Sequence, residues 1–91
     1  MANVVLTLKI MPESPDVDLS RIEKLAGEKV ALFGADIGKV EIEPIAFGLN
    51  AVKLILVMDE KKGSTEALEK DIAEIDGVNS CECTDVRRAV G

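Results

Sequence analysis

The chain has 91 residues, 47% hydrophobic and 31% charged, with 11 Lys and Arg against 17 Asp and Glu for a net charge of -6. It contains no His, Trp or Tyr, and its aromatic side chains are Phe33 and Phe47. These absences exclude Ser-His and Cys-His catalytic pairs and histidine-bearing zinc sites, and they argue against an enzyme. An acidic chain lacks the electrostatic footprint of nucleic-acid binding, and a pair of Phe cannot build a stacking row for single strands. The length suits a single domain over residues 1–91.

Asn3 to Met11 alternates, with Val4, Leu6, Leu8 and Ile10 on one face and Asn3, Thr7 and Lys9 on the other. That period predicts a half-buried strand, broken by the prolines of Met11-Pro12-Glu13-Ser14-Pro15. Asp18 is placed to cap a helix carrying Leu19, Ile22, Leu25, Ala26 and Val30 or Phe33 at helical spacing, which Gly34 ends. Ile37 to Glu43 reads as a second strand with Val40 and Ile42 facing in. Leu49 to Met58 reads as a third, with Val52, Leu54, Leu56 and Met58 inward. After the charged loop Asp59 to Gly63, Ser64 or Thr65 caps a helix with Leu68, Ile72 and Ile75 inward, ended by Asp76-Gly77. Val78 to Val86 is the last strand, with Cys81 and Cys83 inward. The order β-α-β-β-α-β predicts an α+β, ferredoxin-like sandwich: a four-stranded antiparallel sheet with two helices on one face. The longest apolar run, Leu54 to Met58, is far short of the roughly 20 residues of a membrane span, and no signal peptide is visible. Free cysteines and no leader lead us to expect a cytoplasmic protein without membrane contact.

Three stretches invite chemistry. Pro44 to Val52 is the longest uncharged run in a highly charged chain, and it presents Ile45, Phe47 and Leu49 around Gly48 where a hairpin connection normally reads polar. Either these side chains plug the open end of the sheet, or they form an exposed apolar patch that docks another protein. Arg87-Arg88 gathers two of three arginines at the end of the last strand, as a solvated terminus or as guanidinium forks for a partner's carboxylate or phosphate. Cys81-x-Cys83 has soft-metal ligands, but mid-strand on an inner face it reads as a pair of small hydrophobes. Lys61 to Thr65 lacks the glycine spacing of a phosphate-binding loop. Neither a cofactor nor a metal is called for.

Met11-Pro12-Glu13-Ser14-Pro15 with Asp18-Leu19, then Glu43-Pro44-Ile45-Ala46-Phe47-Gly48-Leu49, then Asp85-Val86-Arg87-Arg88 resemble, in order and along the whole chain, the archaeal elongation factor 1-beta family. The resemblance implies the ferredoxin-like fold and guanine-nucleotide exchange on elongation factor 1-alpha, without covalent chemistry. It also implies that Phe47 and Gly48 occupy the place of an aromatic-glycine pair in the partner-contacting loop of the eukaryotic domain. That domain pushes a lysine near its C-terminus into the magnesium and phosphate region of the GTPase. Here the last lysine is Lys70, so either Arg87 or Arg88 takes that role or the mechanism differs. The partner-binding set implied is Ile45, Phe47, Gly48, Leu49, Arg87 and Arg88. The competing readings on the same fold are a regulatory module binding a small molecule such as an amino acid, and a thiol metal carrier.

Overall fold

The computed structural model describes residues 3–89. Its elements are β1 (Asn3–Pro12), α1 (Leu19–Phe33), β2 (Asp36–Pro44), β3 (Asn50–Asp59), a 3-10 turn (Glu60–Lys62), α2 (Glu66–Ala73) and β4 (Val78–Ala89). All neighbours in the four-stranded sheet are antiparallel, in the order β2-β3-β1-β4. This is the ferredoxin-like arrangement expected from the periodicity. β1 and β3 hold the centre, while β2 and β4 are the edges.

The alternation of the central strands builds the core. Leu8 opposes Leu54 and Ile10 opposes Val52, and all four side chains are fully buried. Ile22, Ala26 and Val30, on successive turns of α1, and Leu68 and Ile72 of α2 complete the same cluster. Burying each large aliphatic side chain contributes about 1.5–3 kcal/mol, which is what holds a chain this short in one conformation.

Asp18 caps α1 as expected: its Oδ1 accepts from the Ser20 N–H at 3.0 Å and from the Arg21 N–H at 3.4 Å. Gly34 ends the helix in the left-handed region at φ 98, its N–H reaching the carbonyls of Val30 and Ala31. A Cβ there would also run into Lys62 Nζ, so that ammonium lies at the α1 C-terminus and complements its dipole. Gly34→Ala should lower stability by about 1 kcal/mol or more through the positive φ, measured by urea unfolding.

Two boundaries and one burial depart most from the periodicity reading. β4 continues to Ala89 rather than stopping at Val86, because Arg87 and Arg88 pair in register with Val5 and Val4 of β1. Helix α2 stops at Ala73, and Ile75 is buried from the turn that follows. Val40 and Ile42 do face the helix layer, opposite Leu54 and Val52, yet Ile42 is 50% exposed. An edge strand's inner face is covered only as far as the helices reach, and at Ile42 that cover is incomplete.

The opposite sheet face carries charge. Lys53 Nζ donates to Glu43 Oε2 at 3.2 Å and Lys9 Nζ stands 3.6 Å from Oε1. The Lys53 hydrogen bond and charge hold the Glu43 carboxyl below its ordinary value.

Candidate partner-binding surface

The β2–β3 hairpin is closed by the Leu49 N–H donating to the Ala46 carbonyl at 2.9 Å and the Ile45 N–H donating to the Leu49 carbonyl at 2.8 Å. The two residues between Ala46 and Leu49 both have positive φ, 54 at Phe47 and 79 at Gly48. Positive φ at both central positions is the pattern of a type I′ turn, the turn whose twist suits a hairpin and which prefers Asn-Gly. Glycine adopts it freely. Phenylalanine does not, and a non-glycine residue in this region costs about 1–3 kcal/mol.

Phe47 is also the most exposed large apolar side chain in the described structure, at 94%. Of the two sequence readings, plug and patch, the hairpin divides them. Leu49 is half-buried, whereas Phe47 projects into solvent and Ile45 is partly exposed beside it. The tip is braced from below: a Cβ on Gly48 would meet Pro15 Cβ and Cγ at 3.7 Å. The β1–α1 connection that carries Pro15 is itself tied to the turn before β4. The Glu13 N–H donates to the Gly77 carbonyl at 2.9 Å, and Arg21 Nη1 donates to the Asp76 carbonyl at 2.8 Å.

Arg87 and Arg88 lie at the other end of the sheet. They pair with Val5 and Val4, whereas the hairpin emerges beyond Ile10 and Val52. The rise between those levels of β1 is about 20 Å, so the two groups of candidate residues do not converge. Nor do the arginines form one clamp. As consecutive strand residues they point to opposite faces. Arg87 Nε donates to Asp85 Oδ2 on its own strand, and Arg88 Nη2 meets Glu60 Oε2 of the 3-10 turn, both at 2.9 Å. Asp85 and Glu60 are thus companions of the arginines. The i, i+2 spacing of Asp85 and Arg87 signalled the first of them. The Glu60 contact crosses β1 and left no local signal. Ile37 and Ile42 are further exposed apolar residues, and both lie on the edge strand β2.

Cys81 and Cys83 are free thiols, half-buried against the core opposite Ile10 and Leu8. Burial pushes the Cys81 thiol from its ordinary 9.0 up to about 12, and burial also raises Cys83. The Cys83 N–H donates at 3.0 Å to Glu69 Oε1, whose Oε2 accepts from Thr65 Oγ1 at 2.8 Å, so this corner fastens α2 to β4. Among the described residues no group of three or more His, Cys, Asp or Glu could hold a metal ion. A thiol kept neutral when folded favours the folded state below about pH 9, where both states are protonated, and that stability is lost as pH rises from 9 toward 12. The expected result is slow alkylation of the folded protein near pH 8 and an alkaline loss of stability that Cys81→Ala flattens, read by denaturation at several pH values.

No helix among the described residues is long and apolar enough to cross a membrane. The family model of the EF-1 guanine nucleotide exchange domain matches residues 5–89. Elongation factor 1-beta of Methanothermobacter thermautotrophicus is 47% identical over 88 residues, covering 97% of this chain and 98% of that protein. Elongation factor 1-beta of Methanobrevibacter smithii is 49% identical over 88 residues, with the same coverage of 97% and 98%. Among solved structures, the ACT domain from GTP pyrophosphokinase of Chlorobium tepidum superposes with a TM-score of 0.62 at 14% identity, over 90% of this chain and 99% of that one. The C-terminal domain of the MgtC protein from Mycobacterium tuberculosis does so with a TM-score of 0.65 at 10% identity, over 91% and 86%. At such identities these two share the fold alone. With its domain model and its relatives both matching nearly the full length, the chain belongs to the elongation factor 1-beta family of guanine nucleotide exchange factors.

Proposed function

We propose that the protein accelerates GDP release from the GTPase elongation factor 1-alpha, in the cytoplasmic translation machinery, by gripping it at both ends of the sheet. The observation that carries this reading is Phe47: an aromatic side chain 94% exposed and held at φ 54, where it contributes neither to the core nor to an easy turn. Strain and exposure at one residue are explained together by a partner's pocket. The Phe47 hairpin supplies apolar anchorage, and the Arg87–Arg88 end supplies positive charge to the nucleotide-holding side of the GTPase.

No bond is made or broken in such work. A GTPase holds GDP largely through phosphate-loop amides and magnesium. A protein that binds the nucleotide-free form more tightly must weaken nucleotide binding by the same factor. The sheet keeps the anchor and the charge at a fixed separation. Docking the hairpin therefore dictates where the arginines arrive, and the partner must adjust rather than the exchange factor.

The test of the charged end is GDP release from purified elongation factor 1-alpha. Arg87→Ala/Arg88→Ala should slow stimulated release at least tenfold, about 1.4 kcal/mol, and leave the melting temperature within a few degrees. Undiminished exchange by that variant would remove the arginines from the proposal and leave the hairpin as its sole contact.

A further inference from the structure

The hairpin tip does not end the exposed apolar surface. β2 pairs Ile42 with Val52, Val40 with Leu54 and Ile37 with Leu56, so these three side chains project to the helix side of the sheet, like the buried residues they oppose. Spacing alone would not give this, because Ile37 is three residues before Val40 and a regular strand would turn it to the other face. A bulge at Gly38, seen as the register shift between Ile37 and Lys39, restores it.

The helix layer does not cover the result. Ile37 is 37% exposed and Ile42 50%, and α1 presents Gly27 to this strand: a Cβ there would sit 3.5 Å from Ile37 Cδ1. The wall beside the strand is correspondingly low. Toward the tip the stripe runs on through Pro44 and Ile45, 38% exposed, to Phe47.

We infer that this stripe, Ile37-Val40-Ile42 along β2, is the continuation of the surface that docks elongation factor 1-alpha. The inference rests on the reading of the Phe47 hairpin as its anchor. Area supports it: a fully buried Phe removes about 150–250 Å² from water, while a specific interface of ordinary size takes about 800 Å² from each partner. A single aromatic at a turn falls well short, and the apolar surface continuous with it is the inner face of β2. The matching patch on the GTPase is apolar and lies along the exposed edge of β2.

The test is a hydrogen-exchange footprint of the unsubstituted protein with nucleotide-free elongation factor 1-alpha, together with binding by Ile42→Ser and Ile37→Ser. Protection across 37–43 and about tenfold weaker binding by each variant are expected, with Lys39→Ala, on the charged face, binding as the parent does. The footprint decides alone if a variant melts early. No protection of β2, with binding weakened by Phe47→Ala and not by the β2 variants, overturns the stripe and leaves the hairpin reading intact. Loss of self-association in Ile42→Ser, with GTPase binding unchanged, overturns it in favour of a second copy of this chain. A parent that binds with β2 protected but does not accelerate GDP release sustains the stripe and fails the exchange reading instead.

Discussion

Phe47→Ala should slow stimulated GDP release from elongation factor 1-alpha by about 30-fold at subsaturating exchange factor, since truncating an aromatic anchor costs about 2 kcal/mol or more of binding. The same variant should unfold at or above the temperature of the parent. Phe47 is 94% exposed, so no core contact is lost. Phe47→Asn sharpens the case. Asn-Gly is the favoured pair for this turn, so the variant should be about 1 kcal/mol more stable while losing the same exchange activity. A function gained at the expense of local stability is the signature sought. A Phe47→Ala protein that exchanges normally, or one that loses stability as a core mutant does, would contradict the role assigned to the hairpin.

Leu54→Ala should cost about 2–5 kcal/mol, the range expected for the fully buried aliphatic residues of this core. Leu54 is fully buried on a central strand, between Leu8 on β1 and Val40 on β2, and the antiparallel ladders on both sides prevent the sheet from collapsing into the cavity. A domain of this kind has about 5–15 kcal/mol in all, so the substitution removes a large part of it. Leu32→Ala is the comparison. Leu32 is 86% exposed on α1, and its loss should change stability by no more than about 0.5 kcal/mol. Urea unfolding measures both. A Leu54→Ala cost no greater than that of Leu32→Ala would contradict the core described here.

The fold was legible because its signals are local. Asp18 announces a cap and Gly34 a left-handed stop. Leu6, Leu8 and Ile10 alternate in step with Val52, Leu54 and Leu56, and each segment points to its element without help from the others. What could not be read locally was coverage. Ile42 looks like Val52 in the sequence, but the helix layer reaches one and not the other. Proximity was equally hidden. Nothing in the sequence gives the separation of the uncharged hairpin from the arginine pair, and the register puts about 20 Å of strand between them. The strand period also splits Arg87 from Arg88, which a reader of the sequence sees as a pair. The strain at Phe47 had a partial signal, an aromatic immediately before a turn glycine, but its φ comes only from the closed hairpin.

The two ends being far apart has a quantitative consequence. Substitutions well beyond about 7–10 Å from each other, without shared partners, add in free energy within about 0.3–0.5 kcal/mol. The direct measurement is release of fluorescent GDP from purified elongation factor 1-alpha by the parent, Phe47→Ala, the double arginine variant and their combination. Two independent grips predict that the parent accelerates release, that each variant is slower, and that the fold-losses multiply in the combination. A parent without effect on release would contradict the central claim outright, and a combination no slower than Phe47→Ala alone would reduce the two grips to one.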